Sequence, residues 1–242
     1  MPKQNLKQAP LTTPARVRRG YFECRYGQLH VHNAMPPGGG FEEGTPLLCL
    51  HDCPGSGRSF VPFLRLAGRD RSVYAPDLPG FGESDPPAAL PQLQDYVGAL
   101  GDFLDTMRLR KVDLFAARAG ALIGAELAIA RGTQIGRVIL LSVPLAATGE
   151  RAGFAAPSAQ GTPPWERHLL ESLARYPARE RLARLTQRLL VLRPKDDLAE
   201  ATARVREVLP AARVQDLDLG GTELLAGAPE HLMEAVRDFL RG

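Results

Sequence analysis

The sequence predicts an α/β fold built on a mostly parallel sheet, and three observations predict it. Short apolar runs alternate along the chain with helical patterns, which is the rhythm of βαβ units. Most of those runs are continuously apolar rather than alternating in polarity, as in strands covered by helices on both faces. The chain has 242 residues, 44% hydrophobic and 24% charged, which suffices for one sizeable core.

The elements follow in order. Tyr21–Ala34, "YFECRYGQLHVHNA", alternates around a central glycine and reads as a hairpin. "PPGGG" at 36–40 is a loop. Six runs then read as buried strands: Pro46–His51, Ser72–Asp77, Val112–Ala117, Arg137–Val143, Arg188–Pro194 and Arg213–Asp218. Together with the hairpin they give eight strands. Helical patterns follow Gly57 and cover about Leu93–Leu109, Ala119–Arg131, Glu200–Val208 and Pro229–Leu240. The stretch 146–186 breaks the rhythm. Its first half is small, polar and proline-bearing, and its second half holds one or two amphipathic helices. It reads as a short lid between two parts of one core, 20–145 and 187–242. Residues 1–19, basic and interrupted by Pro10 and Pro14, read as a flexible arm. In such sheets ligands bind at the carboxyl ends of the strands, which directs attention to the loops after His51, Asp77, Ala117, Val143, Pro194 and Asp218.

Composition excludes several classes. A net charge of +3 with scattered basic residues does not suggest a nucleic-acid partner. No apolar run approaches the ~18 residues of a spanning helix, and the amino terminus has no hydrophobic signal core, so no membrane partner is expected. Cys24, Cys49 and Cys53 are odd in number and lack metal-ligand spacing, which fits a reducing cytoplasmic location. His30 and His32 share one face of a strand, but the sequence offers no third ligand beside them. Neither a metal nor another cofactor is expected.

Three stretches in order carry a resemblance. "HDCPGSG" after a strand is similar to a His-Gly-x-Pro-Gly oxyanion loop. "DLPGFGES" matches an Asp-x-Pro-Gly-x-Gly-x-Ser turn. "VDLFAARAGALIGAELA" is in register with a nucleophile elbow, a strand, tight turn and helix. From about Gly20 onward the chain resembles the α/β-hydrolase superfamily, whose relatives cleave small esters, amides, epoxides or C–C bonds. The resemblance implies an α/β-hydrolase fold with a mostly parallel eight-stranded sheet, flanking helices and a shortened lid.

The resemblance also implies a Ser-His-Asp triad, and here the sequence departs from it. The elbow reads Ala116-Ala117-Arg118-Ala119-Gly120, so Arg118 stands where the nucleophile belongs. A guanidinium cannot be deprotonated in a protein and cannot attack a carbonyl. Counting back from Ala228-Pro229-Glu230, Thr222 takes the histidine position, and His231 falls in the following helix. Asp196, with Asp197 beside it, keeps the acid position. Loss of a triad nucleophile or base costs about 10⁶-fold in turnover. The oxyanion donors are backbone groups, Ala119 N–H and Cys53 N–H, and survive such substitutions.

Arg118 then has three open roles: a plug forming a bidentate pair with Asp196, an arginine that binds an anionic ligand beside the oxyanion donors, or a side chain turned to solvent. His51 reads as shaping the oxyanion loop, with Asp52 replacing the usual glycine. A Cys53 nucleophile with His51 as base needs two side chains on one tight loop to face each other. Ser142 reads as a strand-end hydroxyl, and Asp77, Pro79, Gly80, Gly82 and Ser84 as turn architecture. His168 lies in the lid, where it could hang over the pocket. The resulting expectation is a catalytically degenerate hydrolase homologue that binds a small, anionic or apolar ligand. The alternative is an enzyme using non-triad chemistry around Arg118, Asp196 and His51. A homodimer is the arrangement an exposed apolar pocket rim would favour.

Overall fold

Along each central strand, successive side chains enter two different cores, as the period of two requires. Leu48 and Leu50, Leu114 and Ala116, and Val138 and Leu140 face one core; Leu47 and Cys49, Phe115 and Ala117, and Ile139 and Leu141 face the other. The structure, a computed structural model, describes residues 14–36, 44–147 and 162–242. Most of the loop expected at 36–40, most of the arm and most of the first half of the expected lid therefore lie outside the described residues.

The strands are β1 (Val17–Cys24), β2 (Gly27–Ala34), β3 (Gly44–Leu50), β4 (Arg71–Pro76), β5 (Val112–Ala117), β6 (Ile135–Leu141), β7 (Arg188–Arg193) and β8 (Arg213–Asp216). They form one sheet in the order β1-β2-β4-β3-β5-β6-β7-β8. β1 and β2 pair antiparallel, as do β2 and β4, and the remaining pairings are parallel. All six expected strands and the hairpin are present. β1 starts at Val17, inside the expected arm, because Val17 pairs with Ala34, and Ala15 is buried with its N–H on Arg65 O.

The helices are α1 (Val61–Ala67), α2 (Leu93–Thr106), α3 (Ala119–Arg131), α4 (Pro164–Ala174), α5 (Ala178–Leu182), α6 (Ala199–Ala203), α7 (Val205–Val208), α8 (Gly221–Ala226) and α9 (Pro229–Arg241). Side chains of α2, α3, α4 and α5 enter the first core, and those of α1, α8 and α9 the second. The single helix expected over 200–208 is broken at Arg204. There Thr202 Oγ1 and Arg204 Nη1 donate to the Val143 and Leu145 carbonyls of the loop after β6. α8 was not expected; it is a short helix in a glycine-bearing stretch. No described helix is long and apolar enough to cross a membrane.

One buried ion pair ties the helices after residue 162 to the core. Glu126 on α3 has a side chain only 5% exposed and accepts from Arg181 Nε and Nη2 and from the Tyr176 hydroxyl. Burial pushes the Glu126 carboxyl up, but donation by Arg181 and Tyr176 outweighs it and holds the group below its ordinary value. Such a carboxylate adds stability that is complete above its unfolded pKa and is lost as pH falls through the folded one. Glu126→Gln is expected to cost about 1.5–3 kcal/mol at neutral pH by removing the charge-assisted hydrogen bonds from Arg181 and Tyr176. Urea melts should show the gap between wild type and variant narrowing below about pH 4, near the unfolded glutamate value. A gap unchanged in acid would refute this assignment.

Candidate functional site

The turn between β5 and α3 carries the site. Arg118 occupies it with φ 53° and ψ −119°. Its N–H donates to Leu141 O of β6, and its own carbonyl receives Ala121 N–H, the first bond of α3. Gly120 is required by close approach, since a Cβ there would lie 2.3 Å from the His51 carbonyl. The first turn of α3 is thus pressed against the end of β3, bringing Ala119 next to the loop that starts at His51.

The guanidinium of Arg118 is held by acids on two loops. Nε donates to Asp52 Oδ2 at 2.8 Å. Nη1 and Nη2 donate to the two oxygens of Asp197 at 2.9 and 3.0 Å, a bidentate pair. The expected partner was Asp196, and here the structure corrects the sequence. Asp196 Oδ2 stands 3.6 Å from Arg118 Nη1, because that oxygen already accepts the Ser142 hydroxyl at 2.6 Å while Oδ1 accepts Leu198 N–H. The side chain of Arg118 is not turned freely to solvent: its guanidinium is committed to Asp52 and Asp197 through three of its five N–H groups. Its donation holds Asp197 below the usual carboxylate range.

Asp52 does more than pair with Arg118. Its Oδ1 accepts Cys53 N–H at 2.8 Å and Ala119 N–H at 3.1 Å. These are the two backbone donors that the resemblance assigns to the oxyanion hole, and both already point at a carboxylate of the same chain. Burial pushes the Asp52 carboxyl above its ordinary value, and the Ala119 N–H, Arg118 and the Cys53 N–H pull against that shift. An incoming anion would have to displace Asp52 and would meet Asp196 and Asp197 beside one cation. This geometry opposes the anion-binding role that the sequence left open for Arg118.

His51 is fully buried and its two ring nitrogens are both engaged. Nε2 accepts Leu78 N–H at 3.0 Å, which leaves Nδ1 to donate to the Asp52 carbonyl at 2.6 Å. Burial lowers its pKa. The ring links the loop after β3 to the turn after β4 and has no lone pair free to act as a base. Cys53 is buried, and burial holds its thiol well above the ordinary value. A thiol in that state is not a nucleophile. The expected shaping role of His51 agrees with this geometry, and the Cys53–His51 pairing does not.

On the other side of Arg118 lies a cavity of about 200 Å³. Asp52, Pro54, Ala117, Arg118, Ser142 and Thr222 line it, with Leu141, Leu225 and Ala226 completing its apolar wall. Thr222 lies in the first turn of α8 rather than in a loop, yet the fold does bring it to the same cavity as Arg118 and Ser142. His231 is exposed on α9. His168 on α4 contacts Gln92 Nε2 at 3.0 Å at the start of α2 and lines a different surface cleft. It is therefore not the histidine of this site.

The turn after β4 is built around Asp77, which accepts Gly57 N–H, Glu83 N–H and His30 Nδ1. Gly82 is required there, since a Cβ would lie 2.0 Å from Asp77 Oδ2 and the residue has φ 57°. The sequence missed two things at these loops: the carboxylate of Asp52 within the N–H pair, and Asp77 as the acid beside His30 and His32. For the first, an acid adjacent to a predicted oxyanion donor and facing an arginine was the available signal.

Comparisons with known proteins agree with the fold. The model of the alpha/beta hydrolase family matches residues 47–240. The chain is 32% identical over 142 residues to a haloalkane dehalogenase of Mycobacterium marinum, covering 55% of this chain and 42% of that one. It spans about two fifths of the length of the curated relatives it matches. Among solved structures it is similar to naproxen esterase of Bacillus subtilis, with a TM-score of 0.72, 18% identity and coverage of 94% and 92% of the two chains. A thermophilic esterase of Thermogutta terrifontis gives 0.73, 18%, 93% and 98%. With the sheet order, the elbow turn and the oxyanion loop in place, the chain belongs to the alpha/beta hydrolase family.

Proposed function

We propose that this family member has left Ser-His-acid chemistry and uses its elbow region to hold a small, largely apolar ligand rather than to cleave one. One observation carries the reading: Asp52 Oδ1 accepts both backbone donors that would stabilise a developing oxyanion, and Arg118 fixes it there. An oxyanion hole works by preorganised donors aimed at charge that appears in the transition state. Donors already satisfied by a carboxylate have no such charge to await. Arg118 at the nucleophile position and Thr222 at the histidine position remove the two groups that move the proton.

The ligand class follows from the cavity. At about 200 Å³ it is smaller than the 300–1,000 Å³ usual for drug-sized ligands. Pro54, Leu141, Leu225 and Ala226 give it an apolar wall, and at its charged edge one guanidinium faces three carboxylates, which disfavours an anion. A compact neutral molecule fits this lining better than an anion.

A second reading rests on Ser142. Its hydroxyl donates to Asp196 Oδ2 at 2.6 Å, and Ser142 lines the same cavity. A serine with a carboxylate partner is a weak nucleophile, because an aspartate takes a proton poorly at neutral pH.

Hydrolysis of p-nitrophenyl acetate and butyrate separates the two readings. The wild-type chain, Arg118→Ala and Ser142→Ala are all expected at the rate of the protein-free control. Turnover in the wild type that disappears in Ser142→Ala would overturn the first reading in favour of the second. Restoration gives a stricter check on the role of Asp52. The double variant Arg118→Ser with Thr222→His is expected to remain inert while Asp52 fills the N–H pair. Adding Asp52→Gly should raise esterase turnover over the double variant by about 10²-fold or more, the usual worth of an oxyanion donor. Equal rates in the two would show that Asp52 does not block the hole. For ligand binding, thermal melts with n-butanol, cyclohexanol, butyrate and benzoate should show stabilisation by the neutral compounds only. Leu225→Trp, which fills the cavity, should abolish it. Stabilisation by the carboxylates, or stabilisation that survives Leu225→Trp, would refute the assignment.

A further inference from the structure

Away from the elbow, β2 and the turn after β4 bring together groups that the sequence holds far apart. β2 pairs antiparallel with β4, so His32 stands opposite Ala75 and His30 lies beside Asp77. A ring nitrogen of His30, a ring nitrogen of His32 and an oxygen of Asp77 all lie within 4.8 Å of one another, and all three residues are buried. The His30 and His32 rings pack edge to face at 4.7 Å.

The hydrogen bonds assign roles within this group. Asp77 Oδ1 accepts Gly57 N–H, and Oδ2 accepts Glu83 N–H and His30 Nδ1 at 2.9 Å. Donation of Nδ1–H to a carboxylate leaves the lone pair on Nε2. That atom is buried, in a side chain only 1% exposed, and has no hydrogen-bond partner. A histidine with one nitrogen on a carboxylate and the other bare is the arrangement in which a metal-ligating imidazole is held. The Glu83 carboxylate is 3.9 Å from His30 Nε2, half exposed, and steadied by the Tyr21 hydroxyl at 3.0 Å and Arg19 at 3.4 Å.

We propose that His30, His32 and Glu83, with Asp77 orienting His30, form a site for a divalent transition-metal ion, for which Zn²⁺ is the fitting probe. Two imidazoles and one carboxylate suit zinc and its neighbours rather than calcium or magnesium. Ligand atoms about 2.0–2.1 Å from a tetrahedral zinc lie about 3.3 Å apart. The 3.9 Å between His30 Nε2 and Glu83 Oε2 exceeds that spacing, so the half-exposed Glu83 side chain must turn inward to meet His30 and His32 together. Its exposed side also supplies the entry path. The ion would clasp β2 to the turn after β4, separate from the elbow cavity and independent of the function proposed for it.

The test uses the full chain without an affinity tag, stripped with a chelator and titrated with Zn²⁺ by calorimetry, with Co²⁺ absorbance reporting coordination. One equivalent should bind, give the intense visible bands of tetrahedral cobalt, and raise the thermal midpoint. His32→Ala and Glu83→Gln should each fold normally by circular dichroism and weaken binding tenfold or more, while Cys24→Ser leaves it unchanged. Absence of binding, or binding retained in either His32→Ala or Glu83→Gln, would overturn the proposal. Loss in Cys24→Ser would likewise overturn it by moving the site to a thiol.

Discussion

The carboxylate of Asp52, held between two backbone N–H groups and a guanidinium, organises the carboxyl end of the sheet. It joins the loop after β3, the first turn of α3 and the side chain of Arg118 in one set of hydrogen bonds. Arg118 extends that set to Asp197 after β7. These loops are connected by charge-assisted bonds, which are stronger than neutral ones. The His51 ring, bonded to the Asp52 carbonyl and to Leu78 N–H, fixes the same loop from beneath.

Much of the architecture was legible in the sequence. The strands could be read because continuous apolar runs have one good explanation in a chain that also carries helical patterns, and the three loop motifs fixed their order. α8 was illegible because "GGTELLAG" is short and opens with two glycines, and it forms through packing of Leu224 into the second core. The break at Arg204 depends on carbonyls supplied by a loop about sixty residues earlier.

The site was legible in its cast but not in its contacts. Sequence position brought Arg118, Asp52, Asp196 and Thr222 to one end of the sheet, and the structure agrees. It named Asp196 as the partner of Arg118 where the structure has Asp197. That choice turns on the Ser142 hydroxyl, which engages Asp196 from a neighbouring strand. The neighbours of His30 and His32 were invisible for a similar reason. Asp77 reaches them only through the antiparallel pairing of β2 with β4, a register that no local pattern encodes.

The backbone of Arg118 has a consequence of its own. A non-glycine residue at φ 53° carries a conformational penalty of about 1–3 kcal/mol, normally understood as what an enzyme tolerates to expose its nucleophile. In this chain the residue at that turn has no nucleophilic atom, yet the turn is kept. Its persistence must come from the packing of Gly120 against β3 and from the bond between Arg118 N–H and Leu141 O, which leave α3 no other way to begin. The elbow is therefore a property of how this sheet joins this helix. The bend does not depend on what the side chain at its tip can do chemically.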